Sequence, residues 1–143
     1  MMDPKVNKAI HKAVEKEAFA RLLNIELVEL KEGFSAVEMI FNPEVMNNIF
    51  GMAHGGAVFA LIDEAFETAC NSHGTVAVAL NLNITYIASP QAGSRLRAEA
   101  REVSLTRRIG TYEIRVTDSD GRLLAVCQSL CYRKGDPLPF LED

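Results

Sequence analysis

Near the N-terminus, apolar side chains recur at near-helical intervals, with lysines and glutamates between them. This spacing predicts an amphipathic helix. Asp3 followed by Pro4 resembles an N-cap with proline at the first helical position. We therefore predict a helix from about residue 4 to about residue 23. Its apolar face consists of Val6, Ile10, Val14 and Phe19.

Two short apolar segments follow, and both predict strands. Residues 25–30 and 34–41 are rich in isoleucine, leucine, valine and phenylalanine, and they flank Glu32-Gly33, which indicates a tight turn. Their alternation is imperfect, so the register stays open. Pro43 ends this unit, and residues 47–52 form a predicted loop that leads to the next helix.

The segment after that loop is apolar almost all the way round. From Ala57 to about Asn71 it consists mainly of alanine, valine, leucine, isoleucine and phenylalanine, which predicts a helix that is buried on most sides. Its only acidic residues are Asp63, Glu64 and Glu67. A carboxylate is costly to bury unless it is paired or functional, so the aspartate needs an explanation.

The clearest alternation begins after the helix. Large apolar residues occupy every second position from Val76 to Tyr86, which predicts a long strand. Within a later apolar segment the parity changes between Ala100 and Val103, which indicates a bulge. Asp-Ser-Asp-Gly at residues 118–121 indicates a hairpin turn. The three later strands are predicted over about 95–105, 111–117 and 123–133.

The predicted order is therefore one helix, two strands, one buried helix and four strands. It favours an α+β fold, in which an antiparallel sheet curves around the central helix. At 143 residues, 48% of them hydrophobic, the chain suits one domain. Its parts are an N-terminal helix at about 4–23, a core at about 24–133 and a short C-terminal tail.

Composition narrows the function classes. No apolar run of signal-peptide or membrane-spanning length is found, so we expect a soluble cytoplasmic protein. Cys70, Cys127 and Cys131 form no C-x-x-C pair, so we expect reduced core residues and no metal site. A formal net charge of -4 gives no broad attraction to nucleic acid or anionic membrane. Any anionic ligand needs a local basic patch.

A spaced motif carries the candidate chemistry. It reads Asn48-x-x-Gly51-x-x-His54-Gly55-Gly56 and continues into Leu61-Ile62-Asp63. This run, together with Asn83-Ile84-Thr85-Tyr86, resembles the hotdog-fold acyl-CoA thioesterases related to phenylacetyl-CoA thioesterase, over roughly residues 24–133. The resemblance implies a hotdog fold, with a curved antiparallel sheet wrapped around a long helix. It also implies hydrolysis of an acyl-CoA to free acid and CoA, without metal or redox cofactor.

The glycines of the motif stand where a helix begins. A helix start has unpaired N–H groups and a positive dipole end, and glycine lets a substrate carbonyl approach the backbone. Donors held there stabilise the negative charge that develops during thioester hydrolysis. We predict the Gly55 N–H as oxyanion donor and Gly56 as a substrate contact. The resemblance implies that His54 and Asn48 hold the carbonyl or the attacking water.

Asp63 is the predicted catalytic carboxylate, acting as a general base or as a nucleophile. It lies eight residues beyond Gly55, about 12 Å along one helix, so one thioester cannot reach both. Two copies with antiparallel central helices would bring these groups together. We therefore predict a homodimer with shared active sites, and a homotetramer is equally open.

Other roles remain open for the same residues. Asp63 could pair with an arginine, and Glu64 or Glu67 could be solvated, lie in an interface or supply the active carboxylate instead. His54 could simply cap the helix, and Asn48 could stabilise its loop.

Further substrate contacts are predicted away from the motif. Arg107 and Arg108 connect two predicted strands, where they could meet the phosphates of CoA or form only an exposed basic turn. Ala79 and Asn81 lie on the long strand. Relatives often carry a hydroxyl residue near the position of Ala79. Alanine has no hydroxyl group, so this chain offers no second side chain there that could orient the attacking water.

Two other functions share this fold. One is a non-catalytic acyl-CoA binding or sensing domain, for which a carboxylate beside the thioester has no use. The other is a hydratase, which places an aspartate and a histidine closer together than His54 and Asp63. The acyl group stays unidentified, because pocket depth depends on the packing of Met46, Met52, Phe59 and Phe66 and on the partner's strands.

Overall fold

The N-terminal segment forms two helices rather than the single one predicted. The computed structural model describes residues 1–141. Asp3 caps α1 (Pro4–Lys16) by accepting a backbone hydrogen bond, and Pro4 is at the first turn, as predicted. The helix ends at Lys16, and the extended backbone of Glu17 separates it from α2 (Ala18–Leu22). This break leaves Phe19 exposed, so its predicted place on the apolar face is wrong.

The remaining elements confirm the predicted order, with one addition. A one-turn helix begins at Pro43, where no element was predicted, because Asn42 caps it and proline favours its first position. The elements are β1 (Glu26–Lys31), β2 (Phe34–Ile40), α3 (Pro43–Met46), α4 (Gly55–Asn71), β3 (Thr75–Tyr86), β4 (Arg95–Leu105), β5 (Ile109–Thr117) and β6 (Leu123–Pro137).

The six strands form one antiparallel sheet in the order β1-β2-β4-β5-β6-β3. The predicted bulge is confirmed, since the register between β4 and β5 shifts between Glu102 and Ser104. β6 runs past the predicted end of the core at 133, and Leu138 beyond it is buried. The last two residues of the predicted tail, 142 and 143, lie outside the described residues.

Helix α4 packs against the sheet, with contacts to all six strands. Eleven of its residues are buried, and Phe66 meets the ring of Tyr112 edge-on at 5.5 Å. A hydrogen bond of 2.6 Å between the hydroxyls of Ser35 and Thr68 joins the helix to β2. A sheet wrapped around one long apolar helix is the predicted hotdog architecture, which is confirmed. Cys70, Cys127 and Cys131 are free and buried, as predicted.

Strand β3 is an edge of the sheet, and its apolar side chains are not fully covered. Val78 and Leu80 are exposed, by 40% and 54%. The pairing with β6 shifts register between Ala79 and Asn81, so Leu80 is a bulged residue. An edge strand with uncovered apolar residues is a template for pairing with another chain.

Candidate functional site

The loop before α4 is organised by Asn48. Its Oδ1 accepts hydrogen bonds from the backbone N–H groups of Phe50 (2.9 Å) and Met52 (3.1 Å), and its Nδ2 donates to the carbonyl of Ala53 at 3.4 Å. These bonds fix the shape of the turn that leads into His54. The loop role considered for Asn48 is therefore present, while its catalytic role remains a prediction.

His54 is the N-cap of α4. Its Nδ1 accepts a hydrogen bond of 2.8 Å from the Gly56 N–H, so the imidazole satisfies one of the unpaired donors of the first turn. Any β-carbon at Gly56 would approach that Nδ1 to 2.9 Å. The Gly56 N–H is thus occupied by the cap, and Gly55 is left as the free donor.

Gly55 is the first residue of α4, and its N–H has no acceptor among residues 1–141. Its carbonyl accepts a 3.0 Å hydrogen bond from the Tyr86 hydroxyl. A β-carbon at Gly55 would lie 3.2 Å from the Tyr86 ring, so glycine permits the contact. Gly55, Asn48 and Tyr86 all line one groove of about 330 Å³, with Met52 and Val58 on its apolar side.

Sequence reasoning missed Tyr86 as a site residue. The signal was present in the Asn83-Ile84-Thr85-Tyr86 run, but the strand pattern alone does not show that the last residue of β3 meets the first residue of α4. That proximity is a tertiary contact between residues 31 positions apart.

Asp63 lies in the middle of α4, partly buried. No residue within 1–141 donates a hydrogen bond to its carboxylate or pairs with it, so the predicted alternative of an arginine salt bridge is not found there. Burial raises the pKa of Asp63, and the nearby charge of Glu17 raises it further. The result is an unpaired carboxylate of increased basicity, suited to accept a proton.

Three further carboxylates, two from α4 and one from the end of α1, lie close together. Oxygen atoms of Glu17, Glu64 and Glu67 lie within 4.8 Å of one another, close enough to hold a cation. Glu64 is buried, with an Oε1 that has no hydrogen-bond partner among the described residues. Burial, followed by hydrogen bonding to Glu17, raises the pKa of Glu64 to about 10. Glu64 therefore keeps its proton to a higher pH than an exposed glutamate does.

Partial desolvation and the charge of Glu17 raise the pKa of Glu67 to about 7. Unlike the buried side chain of Glu64, part of the Glu67 side chain still contacts solvent. The solvated role considered for this pair therefore fits Glu67 and does not fit Glu64 within the protomer.

Asp63 and Gly55 share one straight element, since α4 runs from Gly55 to Asn71. Eight residues of helix separate them by about 12 Å. The protomer thus brings Asn48, His54, Gly55 and Gly56 together at the start of α4, and it leaves Asp63 two turns away.

Comparison with known proteins identifies the family of this chain. The model of the thioesterase superfamily matches residues 50–125, which include Gly55, Asp63 and β3. The acyl-coenzyme A thioesterase PaaI of Escherichia coli is 31% identical over 134 residues, covering 94% of this chain and 95% of that protein. The chain belongs to the thioesterase superfamily.

Solved structures of related proteins share the architecture. Escherichia coli PaaI, from the phenylacetic acid degradation operon, matches with a TM-score of 0.90 at 31% identity, over 96% of this chain and 99% of that chain. A variant of the phenylacetic acid degradation protein PaaI from Thermus thermophilus matches with a TM-score of 0.77 at 34% identity, over 82% and 99%. A Streptococcus mutans protein bound to acetyl CoA matches with a TM-score of 0.75 at 26% identity, over 80% and 92%. The predicted PaaI-type resemblance is confirmed.

The remaining predicted contacts of this thioesterase superfamily member lie on β3 and on the β4–β5 connection. Ala79 and Asn81 are exposed on the free edge strand. Arg107 and Arg108 are exposed, and Arg108 donates to the carbonyls of Arg133 (3.2 Å) and Lys134 (3.3 Å). None of these residues lines the groove at Gly55 within the protomer.

The residues considered for the acyl pocket divide into two groups. Met46 and Phe66 are buried in the core of the protomer, whereas Met52 and Phe59 are exposed. Only the second group is open to a ligand or a partner chain.

Within residues 1–141 of this superfamily member, no helix has both the length and the apolar content needed to cross a bilayer.

Proposed function

We propose that this protein hydrolyses acyl-CoA thioesters to the free acid and CoA, with each active site shared between two protomers. The proposal rests on two groups of α4 that lack partners and are chemically complementary. The Gly55 N–H has no acceptor among residues 1–141, and the Asp63 carboxylate has no donor there. The first group suits an oxyanion, and the second suits a proton or an acyl carbon.

The two groups meet if two copies pair around a twofold axis through their β3 edges. Antiparallel pairing continues the sheet and covers Val78 and Leu80, which are exposed in the single chain. It also sets the two α4 helices antiparallel, so that Asp63 of one protomer faces Gly55 of the other. A homodimer is the smallest assembly that contains a complete site, and two such dimers could form a homotetramer.

The reaction follows from these positions. The Gly55 N–H, with His54 and Asn48 fixing its surroundings, would bind the carbonyl oxygen as negative charge develops. As a general base, Asp63 would take a proton from water while the water oxygen attacks the carbonyl carbon. As a nucleophile, Asp63 would itself attack to form a mixed anhydride that water then cleaves. In both routes the carbon–sulfur bond breaks, and CoA leaves as a thiolate that gains a proton.

The relatives support the substrate class. One is named as an acyl-coenzyme A thioesterase, and another was solved with acetyl CoA bound. A place for the acyl group is suggested by an apolar groove of about 610 Å³ between α1, α4 and β3. The groove borders Glu67 and Asn71, one and two turns beyond Asp63 on the same helix. Ala79 and Asn81 would lie beside the thioester at the paired edge.

The test is release of free thiol from acetyl-, phenylacetyl- and long-chain acyl-CoA. The wild-type protein should release thiol, and Asp63→Asn, which keeps the shape of the side chain, should lower kcat by at least about a hundredfold. Glu113→Gln is the control, because it removes an exposed carboxylate of β5 that lines neither groove, and its kcat should stay within a few fold. Turnover retained by a folded, dimeric Asp63→Asn protein contradicts the proposal. Tight binding without thiol release would favour the non-catalytic binding domain.

A further inference from the structure

Three glutamates from two parts of the chain meet beside the middle of α4. Glu64 and Glu67 belong to that helix, where residues at this spacing share a face, and Glu17 comes from the link between α1 and α2. One carboxylate oxygen of each residue lies within 4.8 Å of those of the other two. Together they are called the glutamate cluster. Like charges at this distance repel one another, so the cluster needs protons or a cation.

Glu64 is the buried member of the glutamate cluster. Its side chain belongs to a residue that is only 5% exposed, and its Oε1 has no hydrogen-bond partner within residues 1–141. A buried polar atom without a partner is costly and needs an explanation. A proton offers the cluster one donor hydrogen, whereas each carboxylate has two acceptor oxygens. A cation among the three carboxylates would ligate oxygens that a single proton cannot satisfy.

No cationic side chain within residues 1–141 forms an ion pair with the glutamate cluster. The charges that raise the pKa values of Glu64 and Glu67 all belong to carboxylates, including that of Asp63. By contrast, glutamates of the sheet do have arginine partners at 4 Å or less, namely Glu29, Glu38, Glu99 and Glu113. The protein therefore leaves the most buried group of carboxylates without a positive partner of its own.

The glutamate cluster is ordered on one side and open on the other. The Glu17 N–H donates to the Val14 carbonyl at 3.1 Å, and the Glu17 carbonyl accepts from the Arg21 N–H at 3.0 Å, so both neighbouring helices hold this link. Glu17 and Glu67 line the groove of about 610 Å³ between α1, α4 and β3. Water and ions can therefore reach the cluster from the groove. Ligands that are ordered in advance lose little entropy on binding.

We propose that the glutamate cluster binds a hard divalent cation of the size of Ca²⁺, which ties the α1–α2 link to α4. Carboxylate oxygens are ligands that such cations prefer. Two opposite Ca–O bonds of about 2.3–2.6 Å each span about 5 Å, which suits oxygens that lie within 4.8 Å of one another. Mg²⁺ demands nearly octahedral geometry and gives up water reluctantly, whereas Ca²⁺ accepts irregular carboxylate sets. The ion is structural, so the inference does not depend on the proposed hydrolysis.

Calorimetric titration of CaCl₂ and MgCl₂ into chelator-treated protein tests the site, at about pH 8 because ligands must lose their protons. The wild type should bind one Ca²⁺ per protomer, and Mg²⁺ more weakly. Glu64→Gln and Glu67→Gln keep the side-chain shape and should each weaken Ca²⁺ binding at least about tenfold. Glu15→Gln, at an exposed position of α1, is the matched control. Absence of Ca²⁺ binding, tighter binding of Mg²⁺, or equal affinity in all four proteins overturns the inference.

Thermal unfolding distinguishes a bound ion from general screening of an acidic chain. Saturating Ca²⁺ should raise the Tm of the wild type and of Glu15→Gln by about 3 °C or more, and it should leave the Tm of both cluster variants unchanged. Part of the Glu67 side chain contacts solvent, so Glu67→Gln provides the test even if Glu64→Gln does not fold. Equal increases in all the proteins would mean screening alone and overturn the site. Neither readout uses thiol release, so failure to cleave acyl-CoA counts against the proposed function alone.

Discussion

The Tyr86 hydroxyl donates a hydrogen bond of 3.0 Å to the Gly55 carbonyl, and it thereby joins the end of β3 to the start of α4. The peptide group between His54 and Gly55 carries the free N–H of Gly55. The imidazole of His54 accepts a hydrogen bond from the following N–H, that of Gly56. Two side chains therefore hold the same peptide group, the one that joins Gly55 to Gly56 directly after the proposed oxyanion donor. Rigid placement matters because a donor contributes most when it need not reorient as charge develops.

Tyr86→Phe tests this positioning. The ring still packs against Gly55, but one hydrogen bond of about 1 kcal/mol is lost. We expect kcat to fall about tenfold, with KM and the circular dichroism spectrum unchanged. Thr85→Val, at the neighbouring exposed position of β3, is the control. Wild-type kcat in Tyr86→Phe would show that this bond does not position the donor.

The two functions assigned to His54 can be separated by substitution. His54→Ala removes the acceptor of the Gly56 N–H and should cost about 1 kcal/mol in the free energy of unfolding. His54→Asn supplies another cap and should restore most of that stability. If the imidazole also holds the carbonyl or water, His54→Asn still lowers kcat, and we expect about tenfold. Full activity in a stable His54→Asn protein would leave the histidine as a cap only.

Glu64 makes stability depend on pH. Its pKa rises from 4.5 to about 10 on folding, through burial first and then through Glu17, Glu67 and Asp63. The folded chain thus keeps a proton that the unfolded chain releases. The contribution of this proton to the free energy of unfolding is complete below pH 4.5. It is lost as the pH rises towards 10, at roughly 1 kcal/mol per pH unit.

Glu64→Gln keeps a neutral donor and removes the titration. Its free energy of unfolding, measured in urea, should fall less between about pH 6 and about pH 8.5 than that of the wild type. Glu113→Gln, on an exposed position of β5, is the control and should follow the wild type. Identical pH dependence in Glu64→Gln and wild type would mean that Glu64 does not carry the buried proton.

The edge of β3 supplies a test of assembly. Leu80→Lys places a charge on the bulged, 54% exposed residue of the free edge, where pairing would have to bury it. We expect a folded monomer by light scattering, with no thiol release although Gly55 and Asp63 are intact. Val103→Lys, at the bulge of the inner strand β4, is the matched control and should remain dimeric and active. A fully active Leu80→Lys monomer would contradict a shared site.

The sequence predicted regular elements well where local periodicity and burial agree. Alternation from Val76 to Tyr86 and the apolar run of α4 each identified one element, and the parity change near Val103 located a bulge. The break at Glu17 was missed, because a backbone turn there leaves the residue spacing almost helical. Tertiary contacts were the main gap: nothing local shows that Tyr86 reaches Gly55, or that Glu17 meets Glu64.

The same limit applies to the candidate site. The motif located Gly55 and His54 at a helix start, since glycines and a capping residue before an apolar run are local signals. It did not show which N–H the cap would occupy, and that detail leaves Gly55 as the free donor.

The central claim is that one active site needs Asp63 from one protomer and Gly55 from the other. Asp63→Asn and Gly55→Val proteins are co-expressed with different affinity tags, and the mixed dimer is purified. Valine is chosen for Gly55 because its side chain would press on the Tyr86 ring. A mixed dimer contains one site with both defects and one with neither, so we expect about half the wild-type kcat per dimer, while both parent homodimers are inactive. A mixed dimer as inactive as its parents would contradict the account.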